Sequence, residues 1–104
     1  MNKYHARKTT VDGITFDSQK EAMRWCELKL MERAGLISNL ERQKWFELIP
    51  KDGKHRARGY VADFVYKDEN GAQVVEDVKG VRTDLYRWKK DMMRWIHRIE
   101  IKEV

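Results

Sequence analysis

Three ionisable residues lie in two segments whose other residues are largely apolar. Asp63 lies within YVADFVY, and Asp77 and Lys79 lie within VVEDVKG. Both segments contain repeated Val, and the first is also rich in aromatic residues, which are typical of β-strands. Side chains alternate between the two faces of a strand, so Asp77 and Lys79 are predicted to share one face. Whether Asp63 joins them depends on the turn that connects the two strands.

That turn allows two registers. With a two-residue type I′ loop at 70–71, Asp63 opposes Val78, and the two Asp side chains project from opposite faces of the sheet. With a three-residue loop at 69–71, Asp63 opposes Asp77. The residues of the turn suit both loops, so local chemistry leaves the register open. Alternation along the YVADFVY strand predicts two faces. One face holds Val61, Asp63 and Val65, and the other holds Tyr60, Ala62, Phe64 and Tyr66.

The second register would create a site for a divalent cation. Two neighbouring carboxylates repel each other, and burial raises their pKa values, so the pair is unfavourable without a counter-charge. Mg²⁺ reverses that penalty, because it prefers oxygen ligands and takes one or two carboxylates together with waters and substrate phosphate. Lys79 would point at the same phosphate or at an attacking water. This arrangement predicts metal-assisted phosphodiester hydrolysis.

The surrounding elements predict a single small α/β domain. Their order is helix, three strands, helix and a short final strand. The second helix begins after a cap at Thr83, and its apolar residues at helical spacing are Leu85, Trp88, Met92 and Trp95 or Ile96. Residues 1 to about 12 are predicted to form a flexible basic arm, and residues 13–104 to form the domain.

The first helix is predicted over residues 17–37. Asp17 or Ser18 can cap its start, and Gly35 can end it in a left-handed turn. Its apolar residues form two stripes, which predicts that the helix is covered on more than one side. One stripe holds Ala22, Cys26 and Leu30, and the other holds Trp25 and Leu28.

Together, YVADF, the hairpin and VVEDVKG resemble the core of the PD-(D/E)xK nuclease superfamily. Asp63 matches its first acid, Asp77 its second acid and Lys79 its lysine, while Ala62 stands at the variable position of the eponymous Pro. Many members also carry a Glu on the preceding helix, which Glu21 matches. The order of elements from about residue 14 to 104 is similar to the αβββαβ restriction-endonuclease-like core with its mixed sheet.

The resemblance implies a metal-dependent endonuclease that hydrolyses DNA, and it favours the three-residue loop. Asp63, Asp77 and the main-chain carbonyl of Val78 would hold Mg²⁺ or Mn²⁺. Lys79 would orient the water or stabilise developing charge. Glu21 would ligate a second ion or hold a water of the first.

More narrowly, the chain looks like a family of small phage and prophage proteins within that superfamily. It shares its order of acids and lysine with phage Holliday-junction resolvases. The resemblance therefore implies structure-selective cleavage of branched or junction DNA in the cytoplasm of a bacterial host. Cleavage of a junction would need two active sites and hence a homodimer.

Structural alternatives stand beside these roles. Asp77 and Lys79 could form a surface ion pair. Ser18 and Glu21 fit the Ser-x-x-Glu capping box, in which Glu21 would hold the main-chain amide of Ser18. Glu76, on the other face of its strand, is read as structural or solvent-exposed, and it would replace Asp77 as a ligand only if the register slipped.

The charge balance predicts a polyanionic partner, most simply DNA. The 104 residues include 22 Lys and Arg against 17 Asp and Glu, a net charge of +5. Phosphate contacts are predicted for a basic loop and for one stripe of the second helix: Lys51, Lys54, Arg56 and Arg58, and Arg87, Lys90 and Arg94. The same charge would suit a non-catalytic nucleic-acid-binding accessory protein or an RNA-directed nuclease.

Composition excludes several other classes of protein. The single cysteine, Cys26, excludes an internal disulfide and argues against a cysteine-based zinc site. No apolar run has the length of a membrane span, and the basic N-terminal segment does not resemble a signal peptide. A reducing, cytoplasmic setting is therefore expected. Cys26 and the four tryptophans are expected to lie in the core.

Overall fold

The protein is described by a computed structural model that covers residues 7–104. Its elements follow the predicted order, with a short hairpin added in front, and form a small α/β domain. They are β1 (Thr9–Val11), β2 (Ile14–Phe16), α1 (Gln19–Arg33), β3 (Ser38–Ile49), β4 (Arg58–Lys67), β5 (Gln73–Asp77), α2 (Asp84–Met92), which continues as a π-helical turn (Met93–His97), and β6 (Lys102–Glu103). Neither helix of this part of the chain is long and apolar enough to cross a membrane.

The hairpin β1–β2 shortens the predicted N-terminal arm. Asp12 and Gly13 both have positive φ, 51° and 77°, which is the backbone of a type I′ turn. Val11 then pairs with Ile14, and both side chains pack against the core cluster under α1. The prediction of a flexible arm to about residue 12 is therefore wrong for residues 9–12, while the part of the arm at residues 1–6 lies outside the described residues.

Helix α1 has the predicted caps but only one buried stripe. The Ser18 hydroxyl accepts a hydrogen bond from the Glu21 amide at 3.1 Å, and Gly35 follows the helix with a φ of 78°. Glu21, Ala22 and Leu28 are buried, whereas Cys26 and Leu30 are exposed. The prediction that a second apolar stripe is covered is wrong, because no element packs over that side of α1 within residues 7–104.

The four-stranded mixed sheet has the order β3-β4-β5-β6. The first three strands are antiparallel neighbours, and β6 lies parallel to β5. In the hairpin β4–β5, Phe64 pairs with Glu76 and Lys67 pairs with Gln73. Asp68 donates to the carbonyl of Ala72 across a three-residue loop in which Gly71 is left-handed. The three-residue register is thus confirmed, and one step along the ladder it sets Asp63 opposite Asp77.

At Asp63, the even-numbered residues of strand β4 switch from one core cluster to the other. Ala62 and Val65 belong to the core cluster beside α2, whereas Phe64 and Tyr66 belong to the cluster beneath α1. The predicted grouping of Ala62 with Phe64 on one face is therefore wrong. Across from Asp63, Gln43 has a φ of 54°, between the pairs Arg42–Phe64 and Lys44–Ala62. This left-handed residue locally twists the sheet, so simple alternation fails here.

Helix α2 begins at the predicted cap but buries a different stripe. The Thr83 hydroxyl accepts from the Tyr86 amide at 3.1 Å. Tyr86 and Met93, one heptad apart, are buried, whereas Leu85 and Trp88 are exposed. This side of the helix packs in the core cluster that also contains Tyr60, and the Tyr86 hydroxyl donates to Glu103 at 2.7 Å.

Three of the four tryptophans expected in the core are exposed: Trp45, Trp88 and Trp95. Only Trp25 packs inside, with its ring 6.0 Å from Phe16 and 6.1 Å from Phe64. The prediction of four core tryptophans is wrong, because spacing along a helix or strand does not show which side is covered.

Candidate active site

Asp63 and Asp77 form a partly buried acidic pair on neighbouring strands. The Oδ2 atom of Asp63 accepts a hydrogen bond from the Val78 amide at 2.8 Å. Burial, together with the negative charges of Asp77 and Glu21, raises the pKa of Asp63 to about 7, against the lowering effect of the Val78 amide. The register of the hairpin sets Asp63 opposite Asp77, one pair beyond Phe64 and Glu76, so both carboxylates are available to one cation.

Asp77 is the last residue of β5, and its side chain is held by two neighbours. Its Oδ2 atom accepts a hydrogen bond from the hydroxyl of Tyr60. Its Oδ1 atom lies 2.8 Å from Nζ of Lys79. Burial and this bond to Asp77 raise the pKa of the Tyr60 hydroxyl, so Tyr60 remains a neutral donor at physiological pH.

Lys79 is fixed between Asp77 and an aromatic ring. Its Nζ lies 3.4 Å from the centroid of the Tyr86 ring, and only 13% of its side chain is exposed. The main chain around it is held by Val104, which accepts from the Lys79 amide at 3.1 Å and donates to the Asp77 carbonyl at 3.0 Å. Lys20 of α1 donates to the Lys79 carbonyl at 2.9 Å. The alternative of a surface ion pair is therefore wrong, because both partners are largely enclosed.

Glu21 reaches the same region from the first turn of α1. It is 7% exposed, and its Oε1 atom accepts a hydrogen bond from the Gln43 side chain at 3.3 Å. Burial is the main cause that raises its pKa, and the charges of Asp17 and Asp77 add to the effect. Ser18 does cap the helix, but within residues 7–104 no reciprocal bond joins the Glu21 carboxylate to the Ser18 amide. The capping-box role of Glu21 is thus wrong for its side chain.

Glu76 belongs to a separate, structural ion pair. It is fully buried, and its two oxygens accept from Nε and Nη2 of Arg24 at 2.8 and 2.7 Å. The hydroxyl of Tyr66 donates to the same carboxylate. Glu76 is therefore neither solvent-exposed nor available to replace Asp77, and the structural reading of this residue is confirmed.

Three residues around the acidic pair escaped the sequence analysis: Gln43, Tyr60 and Tyr86. Alternation placed Tyr60 on the face away from Asp63, and the change of side at Asp63 invalidates that argument. Nothing in the local sequence signals the left-handed backbone of Gln43. One sequence signal was available for Tyr86. It lies three residues after the predicted cap Thr83, and its amide bonds the Thr83 hydroxyl at the start of α2.

The donor set of this region fits a cation that keeps several waters. Within residues 7–104, no three His, Cys, Asp or Glu side chains are close enough to hold one metal ion together. Glu21 therefore influences the pair through its charge, while Asp63 and Asp77 are the two carboxylates available for direct contact. Two carboxylates completed by water and substrate phosphate are typical of Mg²⁺ or Mn²⁺. Burial raises the pKa of Asp63, and a bound cation would oppose that effect.

The predicted DNA-contacting residues fall into two groups with different surroundings. In the loop between β3 and β4, Lys51, Lys54, Arg56 and Arg58 have no carboxylate within 4.0 Å in the described part of the chain. On α2 and its extension, each predicted cation faces an acid, in the pairs Arg87–Asp84 at 3.0 Å, Lys90–Glu103 at 3.4 Å and Arg94–Asp91 at 4.0 Å. The loop therefore carries the stronger case for phosphate contact.

Fold and site together define a small α/β domain with an enclosed Asp–Asp–Lys cluster at the junction of two strands. The chain belongs to the family described as "Protein of unknown function (DUF1064)", whose model matches residues 1–103. No curated protein and no solved structure matches the chain.

Proposed function

We propose that the protein is a metal-dependent endonuclease of the PD-(D/E)xK type that hydrolyses phosphodiester bonds in DNA. The observation that carries the proposal is the position of Asp63 opposite Asp77 on the neighbouring strand, with the Lys79 ammonium 2.8 Å from the carboxylate of Asp77. A protein selected only for stability would gain little from an enclosed pair of like charges, because the pair repels and loses its hydration.

The residues of the cluster have separable roles in this proposal. Asp63, Asp77 and the Val78 carbonyl would hold Mg²⁺ or Mn²⁺, which supplies Lewis-acid activation of the phosphodiester. Lys79 would stabilise negative charge on the phosphate in the transition state, since the Tyr86 ring and Asp77 already hold its ammonium in place. Glu21, held by Gln43, would orient a water at the edge of the pair.

The basic loop would grip the DNA backbone at a distance from the reacting bond. Arg58 starts β4 and Asp63 lies five residues further on, which corresponds to about 17 Å along a strand. A contact at that distance would lie several nucleotides from the cleaved phosphate. Contacts to phosphates position the substrate without reading its bases, so we propose structure-selective cleavage of branched or junction DNA by a homodimer.

The test is incubation of the protein with linear, supercoiled and four-way-junction DNA, in Mg²⁺ and in EDTA. We expect cleavage in Mg²⁺ alone, with the junction cut faster than the linear duplex. Binding without cleavage of any of these substrates would contradict the enzyme and favour a nucleic-acid-binding accessory protein. The same assay with RNA decides between the two nucleic acids.

The affinity for Mg²⁺ is expected to depend on pH through Asp63. Because the folded pKa of about 7 exceeds the ordinary value of 3.8, the folded state retains a proton that the unfolded state has lost between about pH 4 and pH 7. The metal-free protein therefore loses stability as the pH rises through that window, and Mg²⁺ must displace the proton below pH 7.

We expect the apparent dissociation constant for Mg²⁺ to fall about tenfold per pH unit from about pH 5 to pH 7, and then to level off. Thermal-shift titrations with Mg²⁺ across this range measure it. In the absence of metal, the melting temperature of the Asp63→Asn variant should no longer show the decrease with rising pH that Asp63 causes. An affinity that does not vary over the range would contradict this role of Asp63.

A further inference from the structure

Trp45 is an exposed tryptophan whose position is nevertheless fixed. It lies on β3, and half of its surface is accessible to solvent. Its indole lies against Gly59 of β4, where a Cβ atom would overlap both the ring and the Phe46 carbonyl oxygen. The glycine therefore provides the space that the ring occupies, and the other side of the indole remains open.

A shallow groove lies next to Val61, the residue that faces Trp45 on the neighbouring strand. Trp45 pairs with Val61 across the sheet, and Val61 lines the groove together with Tyr60, Thr83, Leu85, Tyr86 and Lys89. Two of these wall residues also contact the site, since Tyr60 bonds Asp77 and the Tyr86 ring contacts Lys79. A ligand in the groove would therefore lie directly beside the catalytic cluster.

The chemistry of the groove matches a nucleotide whose base is unpaired. Its open surfaces are apolar, because Val61 and Leu85 are 45% and 62% exposed. Lys89 is its one charged lining residue, and no carboxylate lines it. The exposed ring of Trp45, the apolar groove beside its strand partner Val61 and the cation of Lys89 together suit the face of a base and its phosphate. A base inside a duplex is stacked between its neighbours and cannot offer that face.

We propose that Trp45 and this groove bind an unpaired base next to the phosphate that is cleaved, so that the substrate is a single-stranded extension, a flap or an opened junction. The inference rests on the proposed function for the position of the reacting phosphate. The binding itself depends only on the groove and can be measured without cleavage.

The experiment measures DNA binding in EDTA by fluorescence anisotropy, on a blunt duplex and on the same duplex with a single-stranded extension. The variants are Trp45→Ala and Trp45→Tyr, with Trp95→Ala as the matched control. Trp95 is 69% exposed, lies outside the groove and contacts Arg98, so its loss tests exposed tryptophans in general. Sedimentation of each variant tests whether the same face joins two copies of the chain.

We expect Trp45→Ala to weaken binding to the extended DNA about 5- to 150-fold, which corresponds to about 1–3 kcal/mol for a stacked base. Binding to the blunt duplex should stay unchanged, Trp45→Tyr should retain most of the affinity, and Trp95→Ala should behave like wild type. The inference would be overturned if Trp45→Ala left the affinity for the extended DNA unchanged. It would also be overturned if Trp95→Ala lowered that affinity by the same factor. A loss of self-association with unchanged DNA affinity would overturn it as well.

The outcomes separate this inference from the nuclease proposal. Binding to the extension that needs Trp45, in a protein that cleaves nothing in Mg²⁺, would support the groove and contradict the enzyme. Mg²⁺-dependent cleavage with binding indifferent to Trp45 would support the enzyme and overturn the groove.

Discussion

The Asp77→Asn protein is expected to lose Mg²⁺-dependent DNA cleavage by at least about a thousandfold, because a metal ion contributes several kcal/mol of transition-state stabilisation and Asp77 would be one of its two carboxylate ligands. The substitution also removes the negative charge that holds the Lys79 ammonium at 2.8 Å. Asparagine has nearly the shape of aspartate and can still accept the hydrogen bond of Tyr60. The fold and the affinity for DNA in EDTA should therefore survive.

The matched control for this prediction is Asp91→Asn. Asp91 lies on α2, 76% of its side chain is exposed, and it faces Arg94 at 4.0 Å. The same chemical change there should leave the cleavage rate within about twofold, as expected for an exposed pair of this length. Cleavage that persists at the wild-type rate in Asp77→Asn would assign the activity to a contaminant or to another site.

The Glu76→Ala protein is expected to be less stable by about 3–5 kcal/mol, because removing one partner of a buried ion pair leaves the other charge uncompensated. Arg24 would lose both hydrogen bonds of its two-pronged contact, and the hydroxyl of Tyr66 would lose its acceptor. For a domain of this size the melting temperature should fall by more than about 10 °C. Urea unfolding and thermal melts measure the two quantities.

Glu27→Ala is the control for Glu76, because Glu27 contacts the same guanidinium at 3.2 Å but is 61% exposed. Its loss should change the free energy of unfolding by no more than about 1 kcal/mol. Equal effects of the two substitutions would contradict the structural role assigned to Glu76. Where the Glu76 variant is still folded at low temperature, it should retain Mg²⁺-dependent cleavage, since this carboxylate is bound by Arg24 and Tyr66 and not by the residues of the acidic pair.

The strands of the four-stranded sheet, both helix caps and the order of the elements after the β1–β2 hairpin could be predicted from local sequence signals. Ser18 and Thr83 are N-caps as predicted, and the hydrophobic alternation ends β3 at Ile49, directly before Pro50. The register of the β4–β5 hairpin could not be derived from the turn, since the residues at 69–71 suit both loops. The resemblance to a nuclease family favoured the loop that the structure contains.

The sides on which elements are buried could not be predicted, because burial depends on what the rest of the chain covers. Alternation failed at Asp63, where the left-handed Gln43 in the facing strand twists the sheet. Trp45 looked like a core residue by its type, yet it lies half exposed against Gly59. In both places the deciding contact joins residues far apart in the sequence.

The most direct test of the central claim is anomalous diffraction from crystals of the protein soaked in Mn²⁺. We predict one anomalous peak between the carboxylates of Asp63 and Asp77, at about 2.1–2.2 Å from an oxygen of each, and no peak there in crystals of Asp77→Asn. A soaked crystal with no density between these two carboxylates, or with Mn²⁺ bound only elsewhere, would contradict the account.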